Sequence, residues 1–113
     1  MKILVVEDEP QQMELTQYWL RKAGHEAVGA ATAAEAMAMP ERFDVVLCDY
    51  RLEHPFTARD VRSARASLAE RFIVISGSMR VEGYEGEWAM KPTTVTLLDQ
   101  LLGPHETHES ASQ

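Results

Sequence analysis

Asp44-Val45-Val46-Leu47-Cys48-Asp49 sets an unbroken apolar run between two aspartates. A run this short and this apolar reads as a strand buried on both faces, the kind found inside a parallel sheet. Three other stretches share the form. Lys2-Ile3-Leu4-Val5-Val6 leads into Glu7-Asp8, Phe72-Ile73-Val74-Ile75 into Ser76, and Trp88-Ala89-Met90 into Lys91-Pro92. In open α/β sheets, ligands collect beyond the carboxyl ends of the strands. If the four runs are neighbouring parallel strands, Glu7, Asp8, Asp49, Ser76 and Lys91 converge at one edge.

The intervals between the runs carry helical signals. Pro10 suits a first turn, and Met13, Thr16, Trp19, Leu20 and Ala23 repeat at helical spacing before Gly24, a fitting stop. His25 to Ala31 is a weaker second strand. Thr32 and Glu35 match a capping box, opening an alanine-rich helix that breaks at Pro40. Thr57 or Ala58 opens another helix, predicted to run to about Glu70 with Val61, Ala64 and Leu68 on its apolar stripe. Thr93 or Thr94 caps a last helix with Val95, Leu98, Leu101 and Leu102 on one face. Alternating strand and helix predicts an α/β, flavodoxin-like, doubly wound five-stranded parallel sheet in the order 2-1-3-4-5. One interval is too short for this rhythm. Gly77 to Gly86 contains three glycines and little apolar periodicity, where a parallel connection normally needs about a dozen residues or more. A shortened or missing fourth helix is expected there. The polar residues 104–113 lack periodicity and predict a disordered tail after a single domain over 1–103.

The 113 residues suffice for one core, and the net charge of −7 argues against direct nucleic-acid binding. Cys48 is the sole cysteine, so no intrachain disulfide can form, and its place in an apolar run predicts a buried structural thiol. No apolar stretch is long enough to span a membrane, and the short run after Met1 is not a signal peptide, so a cytoplasmic location is expected.

The converging residues have a defined chemistry. Packed together without a counter-ion, Glu7, Asp8 and Asp49 would repel one another. Mg²⁺ relieves this, since it prefers hard oxygen ligands and commonly bridges a carboxylate and a phosphate. Lys91 adds a positive charge, and Ser76 a hydroxyl that can donate to a phosphoryl oxygen. His25 and His54 have no placed nucleophile beside them, and His105 and His108 lack further metal ligands. No glycine-rich phosphate loop follows the first strand, so bound nucleotide is not expected.

In the order and combination of LVVEDE around Glu7-Asp8, LCDYRL around Asp49, VISGS around Ser76 and the Lys91-Pro92 pair, residues 1 to about 103 resemble the receiver domain of two-component response regulators. The resemblance implies that Asp49 accepts a phosphoryl group from a sensor histidine kinase or a histidine phosphotransfer protein. It implies Mg²⁺ held by Asp8 and Asp49, with Glu7 acting through water and the Arg51 carbonyl completing the set. Ser76 and Lys91 would contact the phosphoryl oxygens, and the Lys91–Pro92 peptide would be cis. Movement of the Ser76 loop, coupled to an aromatic residue three positions before the lysine, would be the switch. That residue is Trp88, where the family usually has tyrosine or phenylalanine. After Asp49 the family's Pro and Gly turn signals are displaced by Glu53-His54-Pro55-Phe56-Thr57. On this reading the chain is a phosphoacceptor signalling module with a downstream protein target, and not an enzyme beyond its own phosphorylation and dephosphorylation. Two alternatives stand beside it. One is a pseudo-receiver acting only as an interaction module. The other is a small Mg²⁺-dependent phosphatase working through Asp49, disfavoured because Arg51 stands where a second aspartate would be needed.

Overall fold

A computed structural model of the chain describes residues 1–52, 56–77, 83–91 and 93–103. Five parallel strands form one sheet in the order β2-β1-β3-β4-β5. They are β1 (Lys2–Val6), β2 (Glu26–Ala30), β3 (Phe43–Asp49), β4 (Ala69–Ser76) and β5 (Glu87–Met90). The helices are α1 (Pro10–Lys22), α2 (Ala33–Ala38), α3 (Ala58–Arg65) and α4 (Val95–Leu102). The flavodoxin-like order is as expected, and among the described residues no helix lies between β4 and β5, in keeping with a shortened or missing fourth helix.

Strand alternation divides the core in two. Leu4, Val6, Val46, Cys48 and Val74 face α2 and α3, whose Ala33, Ala36, Ala58 and Val61 complete that layer. Ile3, Val5, Val45, Leu47, Ile73 and Ile75 face the other way, against Leu20 of α1 and Leu98 of α4. The central strands are therefore buried on both faces, which is why they read as continuous apolar runs rather than as alternating ones. Cys48 is fully buried, as its sequence setting predicts, and burial holds its thiol protonated.

Of the four helices among the described residues, three begin at a threonine. The hydroxyls of Thr32 and Thr94 accept from the backbone N–H of Glu35 and Leu97, each at 3.1 Å. Thr57 and Asp60 form a reciprocal capping box. These contacts satisfy N–H groups that a helix start otherwise leaves without partners.

The third helix is shorter than its sequence pattern suggests. It ends at Arg65 rather than near Glu70, and residues 69–71 belong to β4. Leu68, which fits the helical stripe, sits in the turn: its N–H donates to the Arg65 carbonyl and its own carbonyl accepts from Phe43, both at 2.8 Å. Pairing of Phe43 with Ala69 then fixes the start of β4. Ala64 is exposed. The buried positions of α3 are Ala58, Val61 and Arg65. Arg65 is completely buried, and its guanidinium donates to the carbonyls of Ala36, Met39 and Glu41 at the end of α2.

Candidate functional site

Parallel register delivers the polar residues to one edge. Val6 lies beside Cys48, Asp49 beside Ile75, and Ser76 beside Met90. Hydrogen bonds extend the ladders past the strand ends. Glu7 N–H donates to the Ala30 carbonyl at 3.1 Å, Tyr50 N–H to Ile75 at 2.8 Å, and Lys91 N–H to Ser76 at 2.7 Å. The backbone thus holds Glu7, Asp49, Ser76 and Lys91 at a common level.

Carboxylate oxygens of Glu7, Asp8 and Asp49 all lie within 4.8 Å of one another. Glu7 and Asp49 are buried and Asp8 is half-buried. The Lys91 Nζ stands 3.2 Å from Glu7 Oε1 and 3.3 Å from Asp49 Oδ2. Arg51 N–H donates to Asp49 Oδ1 at 3.1 Å, and Glu9 N–H to Glu7 Oε2 at 3.3 Å. Arg51 itself is exposed, and Ser76 is buried at the end of β4.

The electrostatics are those of an excess of negative charge. Burial, then the hydrogen bond and repulsion from Asp49, push the Glu7 carboxyl up to about 7 from its usual 4.5, against the opposing pull of Lys91. Burial works against the Lys91 charge too, but Asp49 and Glu7 outweigh it and hold its pKa above the usual lysine value. Three oxygen donors this close, one of them raised in pKa chiefly by burial, suit a hard divalent cation.

The Glu7 shift has a measurable sign. Between pH 4.5 and about 7 the folded protein keeps a proton that the unfolded chain releases, so stability falls as pH rises through that window. In metal-free buffer, the urea midpoint is expected to be lower at pH 7.5 than at pH 5. Glu7→Gln is expected to flatten this difference, and an unchanged slope in that variant would place the titration on another group.

Comparison with solved structures meets the same architecture repeatedly. The N-terminal domain of a response regulator/sensory box/GGDEF three-domain protein from Carboxydothermus hydrogenoformans superposes with a TM-score of 0.80, at 20% identity over 100% of both chains. A CheY-like response regulator receiver domain from Methylobacillus flagellatus gives 0.79 at 22% identity, over 94% of this chain and 98% of that one. Its fold is that of response-regulator receiver domains. The response regulator TrrA from Thermotoga maritima, solved in complex with Mg²⁺–BeF, gives 0.75 at 22% identity over 89% and 95%. No protein-family model matches the sequence, and neither does any curated protein.

Within this receiver fold, Glu7, Asp8, Asp49 and Lys91 form one cluster, with Ser76 tied to Lys91 through the backbone. Trp88 stands apart, on β5 beside Val74 and 38% exposed. Pro92, the displaced turn at 53–55 and the tail from 104 lie outside the described residues, as do residues 78–82 of the glycine-rich segment after Ser76. Two residues close to the carboxylates carry no strong signal in the sequence. Thr16 of α1 and Thr93 are buried and line a small cavity with Glu7 and Asp49. Thr16 reads as one more member of an apolar stripe, and Thr93 as a helix cap. No helix among the described residues is long and apolar enough to cross a membrane.

Proposed function

We propose that the chain is a response-regulator receiver domain that takes a phosphoryl group on Asp49 from a sensor histidine kinase or a histidine phosphotransfer protein. The observation that carries this reading is the packing of Asp49 with Glu7 and Asp8 at the carboxyl edge of the sheet, with the Lys91 ammonium 3.3 Å from Asp49 Oδ2. Phosphoryl transfer asks a protein for positioning and charge neutralisation more than for covalent help. An Asp49 oxygen attacks phosphorus, the bond to the donor histidine nitrogen breaks, and the electron pair leaves on that nitrogen. Arg51 N–H orients the Asp49 carboxylate, and Lys91 supplies positive charge for the incoming phosphoryl oxygens. Ser76, beside Met90 at the same edge, has a hydroxyl suited to a phosphoryl oxygen.

Glu7, Asp8 and Asp49 would hold Mg²⁺, with the Arg51 carbonyl as a further oxygen donor. When bound, the ion supplies charge that lets carboxylate and phosphoryl group approach. On this reading Ser76 and Trp88 are the switch residues, and a partner protein reads the phosphorylated state. The expected product is an acid-stable, base-labile phosphoryl group on incubation with acetyl phosphate and Mg²⁺. Absence of any incorporation would favour an interaction module without phosphoacceptor chemistry. Steady release of phosphate from generic phosphomonoesters would favour the phosphatase.

Asp8 provides a separate check on the metal. Sites that combine few protein ligands with retained waters bind Mg²⁺ weakly. Asp8→Ala is expected to weaken Mg²⁺ at least about tenfold, read by titration of tryptophan fluorescence or amide NMR shifts. Equal affinity in the variant would put the metal elsewhere.

A further inference from the structure

Strand parity sets two of the carboxylates on one face of the sheet. Glu7 stands two residues after Val5 and Asp49 two after Leu47, so both share the side on which these strands meet α1 and α4. On that side Glu7, Asp49, Thr16 and Thr93 line a cavity of about 10 Å³, and the other described residues of its wall are apolar. The two threonines come from different elements, and neither is explained by its local setting. Thr16 is buried on α1 beside Leu20, where an apolar residue would complete the stripe. Thr94, not Thr93, caps α4, its hydroxyl accepting from Leu97 N–H, yet Thr93 is the buried one. Burying a hydroxyl costs free energy unless it finds a hydrogen bond. Among the described residues, Glu7 and Asp49 bond to the N–H groups of Glu9 and Arg51, to the Lys91 ammonium and to each other, and to neither threonine.

We propose that Thr16 and Thr93 are positioning residues of the carboxylate site, acting through one buried water. A volume of about 10 Å³ is the least that holds a water, which also needs about two to four polar partners. The water accepts from the two threonine hydroxyls and donates to Glu7 and Asp49. Its four bonds match the wall: carboxylates can only accept, and hydroxyls can donate. A carboxylate has about four acceptor sites, so Glu7 and Asp49 each have room for this bond beside those they already make. The water braces both carboxylates from the core side and leaves their remaining sites to Lys91, Mg²⁺ and the phosphoryl group. Removing an outer partner of this kind typically costs about 10–100-fold in metal affinity or activity. Only the labelling rate below rests on Asp49 as the phosphoacceptor.

In crystals of the full chain grown without Mg²⁺, one ordered water is expected within hydrogen-bond distance of both threonine hydroxyls, Glu7 and Asp49. Thr16→Val and Thr93→Val keep the side-chain shape and remove the hydroxyl. Each is expected to lose the water, to weaken Mg²⁺ at least about tenfold in the fluorescence titration, and to slow labelling of Asp49 by acetyl phosphate at least about tenfold. Thr16→Ser and Thr93→Ser keep the hydroxyl and are expected to stay close to wild type in all three. A role in packing alone predicts the reverse order, with valine, which fills the site, harmless and serine, which lacks the methyl group, harmful. That reverse order would overturn the proposal. So would a dry cavity in the wild type, hydroxyls bonded directly to the carboxylates, or wild-type Mg²⁺ affinity in both valine variants. A wild-type protein that takes no label would sink the phosphoacceptor reading instead, and the water and the Mg²⁺ affinities would still decide the role of the threonines.

Discussion

Asp49→Asn folds normally and takes no label from acetyl phosphate. The amide is isosteric with the carboxylate, and its oxygen can still accept the Arg51 N–H that now binds Asp49 Oδ1 at 3.1 Å. Removing the charge costs the contact with Lys91 but relieves the repulsion that, after burial and the hydrogen bond, helps hold the Glu7 carboxyl above its usual value. The two effects oppose each other, so the urea midpoint is expected to move little. What the variant lacks is the nucleophile. An amide oxygen is a poor nucleophile toward phosphorus, and labelling is expected to fall at least about a hundredfold. Mass spectrometry of the intact protein gives the readout. Label retained at the wild-type level would remove Asp49 from its role.

Arg65→Ala carries the largest expected loss of stability. This guanidinium is wholly buried, lies 5.3 Å from the centre of the Phe43 ring, and donates to three carbonyls where α2 ends. Truncation to alanine leaves the three acceptors without their donor and opens a cavity between α2, α3 and the edge of β3. Each buried polar group left unsatisfied costs about 1–3 kcal/mol, and the expected total is about 3–5 kcal/mol. That is a large part of a typical domain's stability of about 5–15 kcal/mol. Arg65→Lys keeps one charge and one donor group but not the fork, and is expected to recover less than half of the loss. Urea unfolding with an unchanged slope measures both variants. A loss below about 1 kcal/mol for Arg65→Ala would show that water replaces the guanidinium at those carbonyls.

Arg65 also shows where the sequence misleads. An arginine in the middle of a helix reads as a solvent-facing residue, and the apolar pattern places the stripe of α3 on Ala64 and Leu68 instead. Nothing local distinguishes the two registers. The choice is made by acceptors about 25 residues upstream, at the end of α2, and by the pairing of Phe43 with Ala69. The strands were legible for the opposite reason. Their burial on both faces is written into consecutive residues, and so are the polar residues that end them. Glu7, Asp8, Asp49 and Lys91 could be gathered at one edge from strand order alone. The short interval between β4 and β5, with no helix among its described residues, was legible as well, because it is a matter of length. The exposure of Trp88 and Met90 was not, since only the assembled sheet shows it.

The hydrogen bond from Lys91 N–H to the Ser76 carbonyl joins two residues of the site whose surroundings differ. Asp49 ends a seven-residue strand at the middle of the sheet, flanked by ladders on both sides. Lys91 follows a four-residue strand at the rim, with a neighbour on one side only. One half of the cluster therefore behaves as a fixed dial and the other as its pointer. Amides around Asp49 are therefore expected to exchange with solvent only on global opening, and those of β5 by local fraying. An event at the carboxylates is expected to displace the rim more than the centre.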